Sequence, residues 1–314
     1  MLSGGAALNA AFLPPKAFVD RPELLDRRFA PDEARAYTRW LARSHYENFH
    51  VVSLLLPRRL HQDFFNLYAF CRWADDLGDE IGDRERSLRL LAWWEGELEA
   101  LYRGQARHPV FVALKETVER QQLPRQPLAD LIRAFVQDQT VTRYQTFDEL
   151  LGYCRYSANP VGRLVLHLCG YRDEERQRLS DATCTGLQLA NFWQDVTLDF
   201  QKGRLYLPLE LLDRHGASVE DIRQRRPTPG FRAAMREAVE VAEQFFRRGL
   251  PLCGMVAPRL ALDIDLFSRG GLRLLEKIRR RDYDVLAARP VITRTERFGL
   301  LVRGLVRLAG RVAQ

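Results

Sequence analysis

The chain has 314 residues, 46% of them hydrophobic and 28% charged, a composition that buries a sizeable core and excludes disorder for most of its length. Its formal charge is +7, yet all but four of the 48 basic residues are arginine, the exceptions being Lys16, Lys115, Lys202 and Lys277; that skew follows genome base composition more readily than nucleic-acid binding, and with no zinc-finger, homeodomain-like or RNA-recognition pattern no nucleic-acid partner is expected. No apolar run reaches the roughly 18 residues of a membrane span, and the five cysteines, Cys71, Cys154, Cys169, Cys184 and Cys253, never form a CxxC pair and read as buried thiols of a reducing compartment.

The N-terminal run MLSGGAALNAAFLPPKAF lacks a charged region ahead of its short apolar stretch. It reads as a flexible lead-in over 1–30 rather than a signal peptide, and a cytoplasmic protein is expected. Periodicity then predicts helices over 31–44, 58–80, 83–102, 108–121, 126–139, 146–157, 160–169, 172–200, 231–250 and 258–281, with prolines between many of them. Alternating β-branched runs with hairpin turns are missing, so the fold class is all-α, one helical bundle over 31–292. Asn159-Pro160 and Gly162 interrupt the pattern between two helices; the break is either a kink that shapes a pocket or an ordinary interhelical turn. Over 293–314, Phe298, Leu301, Leu305, Leu308 and Val312 recur at threes and fours with Arg303, Arg307 and Arg311 on the other side. This basic amphipathic helix either makes peripheral contact with an anionic membrane surface or docks on the protein's own core.

The most informative residues are two acidic clusters: Asp75, Asp76 and Asp79 in YAFCRWADDLGDE, and Asn191, Asp195 and Asp199 in LQLANFWQDVTLDF. Asp75/Asp79 and Asp195/Asp199 are i,i+4 pairs on one helix face, an arrangement that costs about 0.2–0.5 kcal/mol per pair in an isolated helix. A solvated helix face is the ordinary meaning of one such pair. Here the neighbours are Tyr68, Phe70, Trp73 and Leu77 in one cluster and Leu189, Phe192, Trp193 and Val196 in the other, the surroundings of buried helices. Magnesium matches the need, because it takes one or two carboxylates and completes its shell with water and phosphate oxygens. Two such faces across a cavity would hold a diphosphate.

These segments resemble the squalene/phytoene synthase family, the head-to-head isoprenoid synthases. The family's aromatic-x-x-x-Arg-x-x-Asp-Asp-x-x-Asp helix is matched by Tyr68, Arg72, Asp75, Asp76 and Asp79. Its second motif is matched by Gln188, Asn191, Asp195 and Asp199, followed by Lys202, Arg204, Tyr206 and Pro208. A finer resemblance is to the hopanoid-pathway HpnC branch, hydroxysqualene or squalene synthases, through His45–Phe49, Ser157–Arg163, Asn191–Asp195 and Arg279–Val285. Three positions depart from the broader family: Asn48 where many members carry serine, Gln194 in place of a frequent arginine, and Asn159-Pro160 in place of Gly-Thr.

The resemblance implies a class I isoprenoid synthase bundle with a central cavity, and a prenyl diphosphate substrate. It implies two or three magnesium ions on Asp75, Asp76, Asp79, Asn191, Asp195 and Asp199, with Asp75, Asp79, Asp195 and Asp199 serving catalysis. Arg72, Arg204, Lys202, His45 and Asn48 would contact the diphosphate; Arg72 alternatively pairs with its own helix's aspartates. Tyr68, Tyr153, Asn159, Gln188, Phe192 and Trp193 would line the cavity, where aromatic faces stabilise cations, although aromatics at helical spacing are commonly plain core. The implied reaction converts presqualene diphosphate to hydroxysqualene alongside other hopanoid-pathway enzymes. The alternatives are condensation of two farnesyl diphosphates to presqualene diphosphate, squalene or dehydrosqualene; phytoene synthesis; a class I terpene cyclase; and a catalytically silent assembly factor. No GxGxxG follows a strand, so a nicotinamide cofactor is not expected.

Overall fold

Helices start where the sequence supplies a proline or a capping side chain. In a computed structural model, which describes residues 12–44, 57–293, 295–296 and 298–304, Pro15, Pro22, Pro31, Pro109, Pro229 and Pro258 each open a helix, where the missing N–H costs nothing. Asp83, Thr146, Asp173 and Thr228 each accept a hydrogen bond from the backbone N–H three residues on. Among the described residues there is no strand, only an isolated bridge between Arg143 and Leu205. The protein is all-α.

The chain divides into two compact units, Met1–Thr140 with Leu164–Tyr171, and Val141–Arg163 with Arg172–Gln314. The first holds α1 (Pro15–Val19), α2 (Pro22–Leu25), α3 (Pro31–Ser44), α4 (His61–Asp79), α5 (Arg84–Tyr102), α6 (Pro109–Gln121) and α7 (Arg125–Asp138). The second holds α8 (Phe147–Ser157), the start of α9 (Asn159–Leu168), α10 (Glu174–Gln201), α11 (Leu209–Arg214), α12 (Val219–Arg223), α13 (Pro229–Gly249) and α14 (Pro258–Arg280). All ten helices expected from periodicity are present. Among the described residues the short helices α1, α2, α11 and α12 are additional, too brief to show a period.

The lead-in expected to be flexible over 1–30 is helical and packed from Pro15 onward. Phe18 is fully buried, its ring edge-on to Trp73 at 5.2 Å, and that apolar anchor offsets the ordering entropy of the segment. The break at Asn159-Pro160 is an interhelical turn: α8 ends at Ser157 and Pro160 is the second residue of α9, a position that tolerates proline.

In the first unit α4 packs against α3, α5, α6 and α7. A buried polar network pins α3 and α6 to it. Asn66 accepts from Thr38 Oγ1 at 2.7 Å and donates to the Ala113 carbonyl at 2.9 Å and to Thr117 Oγ1 at 3.0 Å. In the second unit α10 packs against α13, α14 and α8. There Phe246 of α13 lies so close to Gly271 of α14 that a Cβ at 271 would sit 2.1 Å from the ring. Residues 298–304 are helical, with Gly304 against Leu262 and Leu266 and Glu296 paired with Arg273 and Lys277. This first part of the expected C-terminal helix therefore docks on α14 while Phe298 and Val302 stay exposed. Leu305, Leu308, Val312, Arg307 and Arg311 lie outside the described residues.

His108 is buried among Phe18, Trp73, Trp93, Trp94 and Phe111. Its Nδ1 caps α6 by accepting from the Val110 N–H at 3.4 Å. Burial holds the imidazole well below its ordinary value of 6.5. A depressed histidine contributes stability that is present above the unfolded value and lost as pH falls below it. The denaturation midpoint of the wild type is expected to fall between pH 7 and pH 5, and His108→Asn, which keeps the cap, should show a smaller decline over that window; equal declines in urea melts would refute the assignment.

Candidate active site

On α4, Tyr68, Arg72, Asp75 and Asp79 recur at threes and fours and share one stripe. Tyr68, Arg72 and Asp75 are half-buried and Asp79 is exposed, whereas Phe70, Trp73 and Leu77 on the other sides are fully buried. Asp76 departs from the stripe. It is 4% exposed, and burial pushes its carboxyl up to about 6 against the pull of Arg72. Arg72 reaches both acids, Nη1 to Asp75 Oδ2 at 3.2 Å and Nη2 to Asp76 Oδ1 at 2.5 Å. The intrahelical pairing is therefore realised, and half-exposure leaves the guanidinium accessible.

On α10, Gln188, Asn191, Asp195 and Asp199 form a second stripe, with Asn191 exposed and the other three half-buried. Phe192 turns inward and stacks on Tyr206 at 3.8 Å, with Tyr153 and Tyr144 completing a four-ring cluster. Trp193 is fully buried against Phe147, away from the stripe, and is a core residue. Asn159 is buried and accepts from Thr185 Oγ1 at 2.9 Å. After α10 the chain turns back: the Arg204 N–H donates to the Asp199 carbonyl at 2.8 Å and the Leu205 N–H to the Thr142 carbonyl at 2.8 Å. Arg204 is thus held beside the last aspartate, half-buried, while Lys202 is exposed. His45 and Asn48 lie outside the described residues.

The structure adds a residue that pattern reading missed. Arg289 binds Asp195 through two hydrogen bonds, Nη2 to Oδ2 at 3.1 Å and Nε to Oδ1, and the partnership raises the guanidinium's proton affinity further. Gln194 explains how it gets there. Its buried amide donates to the Pro290 carbonyl at 2.6 Å, clamping the residue after Arg289 onto α10. The glutamine that replaces a frequent family arginine thereby positions an arginine from elsewhere in the chain. A separation of 94 residues hides this pairing from motif reading; the only local signal is a charged residue before Pro290 in a loop.

Oxygen donors aligned on each stripe suit a hard divalent cation. Neither stripe is a ready-made cage, since among the described residues no three His, Cys, Asp or Glu groups come within reach of one ion. Magnesium needs only one or two carboxylates, so the donor set fits an ion that completes its shell with substrate oxygens.

The squalene/phytoene synthase family matches residues 42–296. The chain belongs to this family. It is 33% identical to a phytoene synthase of Thermus thermophilus over 84% of this chain and 90% of that one. With a hydroxysqualene synthase of Rhodopseudomonas palustris it shares 34% identity over 75% of this chain and 80% of the relative. The crystal structure of squalene synthase HpnC from Alicyclobacillus acidocaldarius superposes with a TM-score of 0.77 at 46% identity, covering 81% of this chain and 96% of that one. The protein is accordingly an enzyme with a squalene-synthase-type helical fold, from a family that processes prenyl diphosphates and generally uses a divalent metal. No described helix is long and apolar enough to cross a membrane.

Replacing Gln194 by Ala should release Arg289 without removing an aspartate. Turnover of a prenyl diphosphate is expected to fall roughly tenfold in Gln194→Ala and roughly 100-fold in Arg289→Ala, with the double variant no worse than Arg289→Ala alone. Additive losses in steady-state kinetics would show that Gln194 acts independently of Arg289.

Proposed function

We propose that the enzyme converts presqualene diphosphate to hydroxysqualene with magnesium as cofactor. The observation that carries the choice of step is the buried Gln194 amide that sets Arg289 on Asp195, because it belongs to the Asn191–Asp195 run that resembles the HpnC branch and departs from the broader family pattern. Asp75, Asp79, Asn191, Asp195 and Asp199 would hold the magnesium ions, with Asp76 contributing through its pairing with Arg72. Bound there, magnesium supplies Lewis-acid neutralisation of the departing diphosphate.

The protein's own groups do the rest. Arg72, Arg204 and Arg289, with Lys202, donate charge-assisted hydrogen bonds to diphosphate oxygens as negative charge grows on them. Arg289, whose contact with Asp195 is partly exposed, would be available to turn to the diphosphate. Tyr153 and Phe192, in the ring cluster behind the α10 stripe, would supply aromatic surfaces that favour a cation, by about 0.5–2 kcal/mol each. The C–O bond to diphosphate breaks, the cyclopropylcarbinyl cation rearranges and opens, and water adds to the resulting cation and loses a proton to solvent. No hydride donor enters this balance. The exposed Phe298 and Val302 beside Arg303 support peripheral contact of the C-terminal helix with a membrane that holds the lipid substrate.

The test is incubation of the pure protein with presqualene diphosphate and magnesium, with and without reduced nicotinamide. Hydroxysqualene is expected in both, with Asp75→Asn and Asp195→Asn slowed roughly 1000-fold, equivalent to about 4 kcal/mol of barrier. Product formation only when farnesyl diphosphate is supplied would assign head-to-head condensation instead, and unchanged biological function of both variants would assign a scaffold.

A further inference from the structure

Away from the aspartate stripes, the second unit contains a cavity of about 500 Å³ to which α8, α10 and α13 each bring one arginine: Arg155, Arg178 and Arg248. Nearby Arg163, Arg176 and Arg247 are each matched to a carboxylate, yet among the described residues Arg155, Arg178 and Arg248 make no ion pair. The one carboxylate in the cavity wall, Asp181, is occupied by Arg163 through hydrogen bonds of 2.9 and 2.5 Å. Three positive charges therefore surround one concavity with no negative charge left to balance them. Its polar wall is built from buried side chains. Thr185 and Asn159 are 4% and 7% exposed, and the Thr185 hydroxyl donates to Asn159 Oδ1 at 2.9 Å. That bond fixes the amide orientation and leaves Nδ2 as a donor. Arg248 also rests over the Phe245 ring at 5.2 Å, which orders its side chain before any ligand arrives.

We propose that this cavity is a binding site for a phosphate-bearing anion, separate from the metal-binding stripe. Guanidinium groups converging from three helices match the several oxygens of a phosphate or diphosphate better than one carboxylate, and a neutral amide donor among them adds orientation. Asp181 precedes Asp195 on the same helix by about 21 Å of rise, so one small anion does not reach both. The ligand is either a soluble phosphate or diphosphate or the headgroup of an anionic lipid. The inference does not rest on the reaction proposed above.

The test titrates the full-length protein calorimetrically with sodium diphosphate in EDTA, which removes metal-dependent binding at the stripes. Saturable binding is expected, weakened at least tenfold in Arg178→Ala/Arg248→Ala and unchanged in the control Arg89→Ala/Arg103→Ala, which removes the same charge from exposed positions elsewhere. Hydrogen exchange should show diphosphate protecting the α10 and α13 segments around Arg178 and Arg248. In a parallel arm, sedimentation with phosphatidylcholine vesicles containing phosphatidic acid, lost in the same pocket variant, supports the site with a lipid headgroup as its ligand. Equal weakening in both double variants, or no saturable diphosphate binding together with no vesicle binding, overturns the proposal.

Discussion

Like charges one turn apart on a helix repel, and both α4 and α10 carry such a pair on the face that matters. The helices keep their shape because everything else about them is held by packing. Burying a large apolar side chain contributes about 1.5–3 kcal/mol, several times the repulsion of about 0.2–0.5 kcal/mol between the paired carboxylates. Phe70, Trp73 and Leu77 on α4, and Leu189, Trp193 and Val196 on α10, supply that excess many times over. The Asn66 network ties α4 to its neighbours, and the contact of Phe246 with Gly271 binds α13 to α14, which both pack on α10. Packing on three sides thus tolerates acid on the fourth.

The two stripes manage their charge by different routes. On α4 the compensating arginine is local, since Arg72 reaches the aspartates three and four residues ahead, the second of which is buried. On α10 the arginine comes from beyond the end of α14 and is held in place by the Gln194 amide. In both cases the partner is partly exposed, and a screened, solvent-touched pair is weak enough to rearrange. A fully buried pair would be costly to break, which suits a structural link better than a site that must admit a charged ligand.

Much of this was legible in the residues themselves. Helices long enough to show a 3.6-residue period were found with nearly correct ends, because proline and capping side chains mark them. The stripe membership of Tyr68, Arg72, Asp75 and Asp79, and of Gln188, Asn191, Asp195 and Asp199, follows from spacing alone. What spacing could not supply was direction relative to neighbours. Asp76 and Trp193 share segments with the stripe residues, yet one is a buried carboxyl pushed up to about 6 by its surroundings and the other is core against Phe147. The packing of Pro15–Leu25 was hidden because four- and five-residue helices show no period, and a single ring, Phe18, decides their position. Arg289 was hidden by distance along the chain.

The clasp between Gln194 and Pro290 has a consequence for how the protein is made. Synthesis finishes the aspartate motif at Asp199, but its counter-charge emerges from the ribosome only some ninety residues later. Until then Asp195 stands in a nascent helix without its arginine. A truncated product ending near Arg280 would keep every acidic ligand and still lack the cation that tempers Asp195, so the α10 stripe is complete only after the segment beyond α14 has been made.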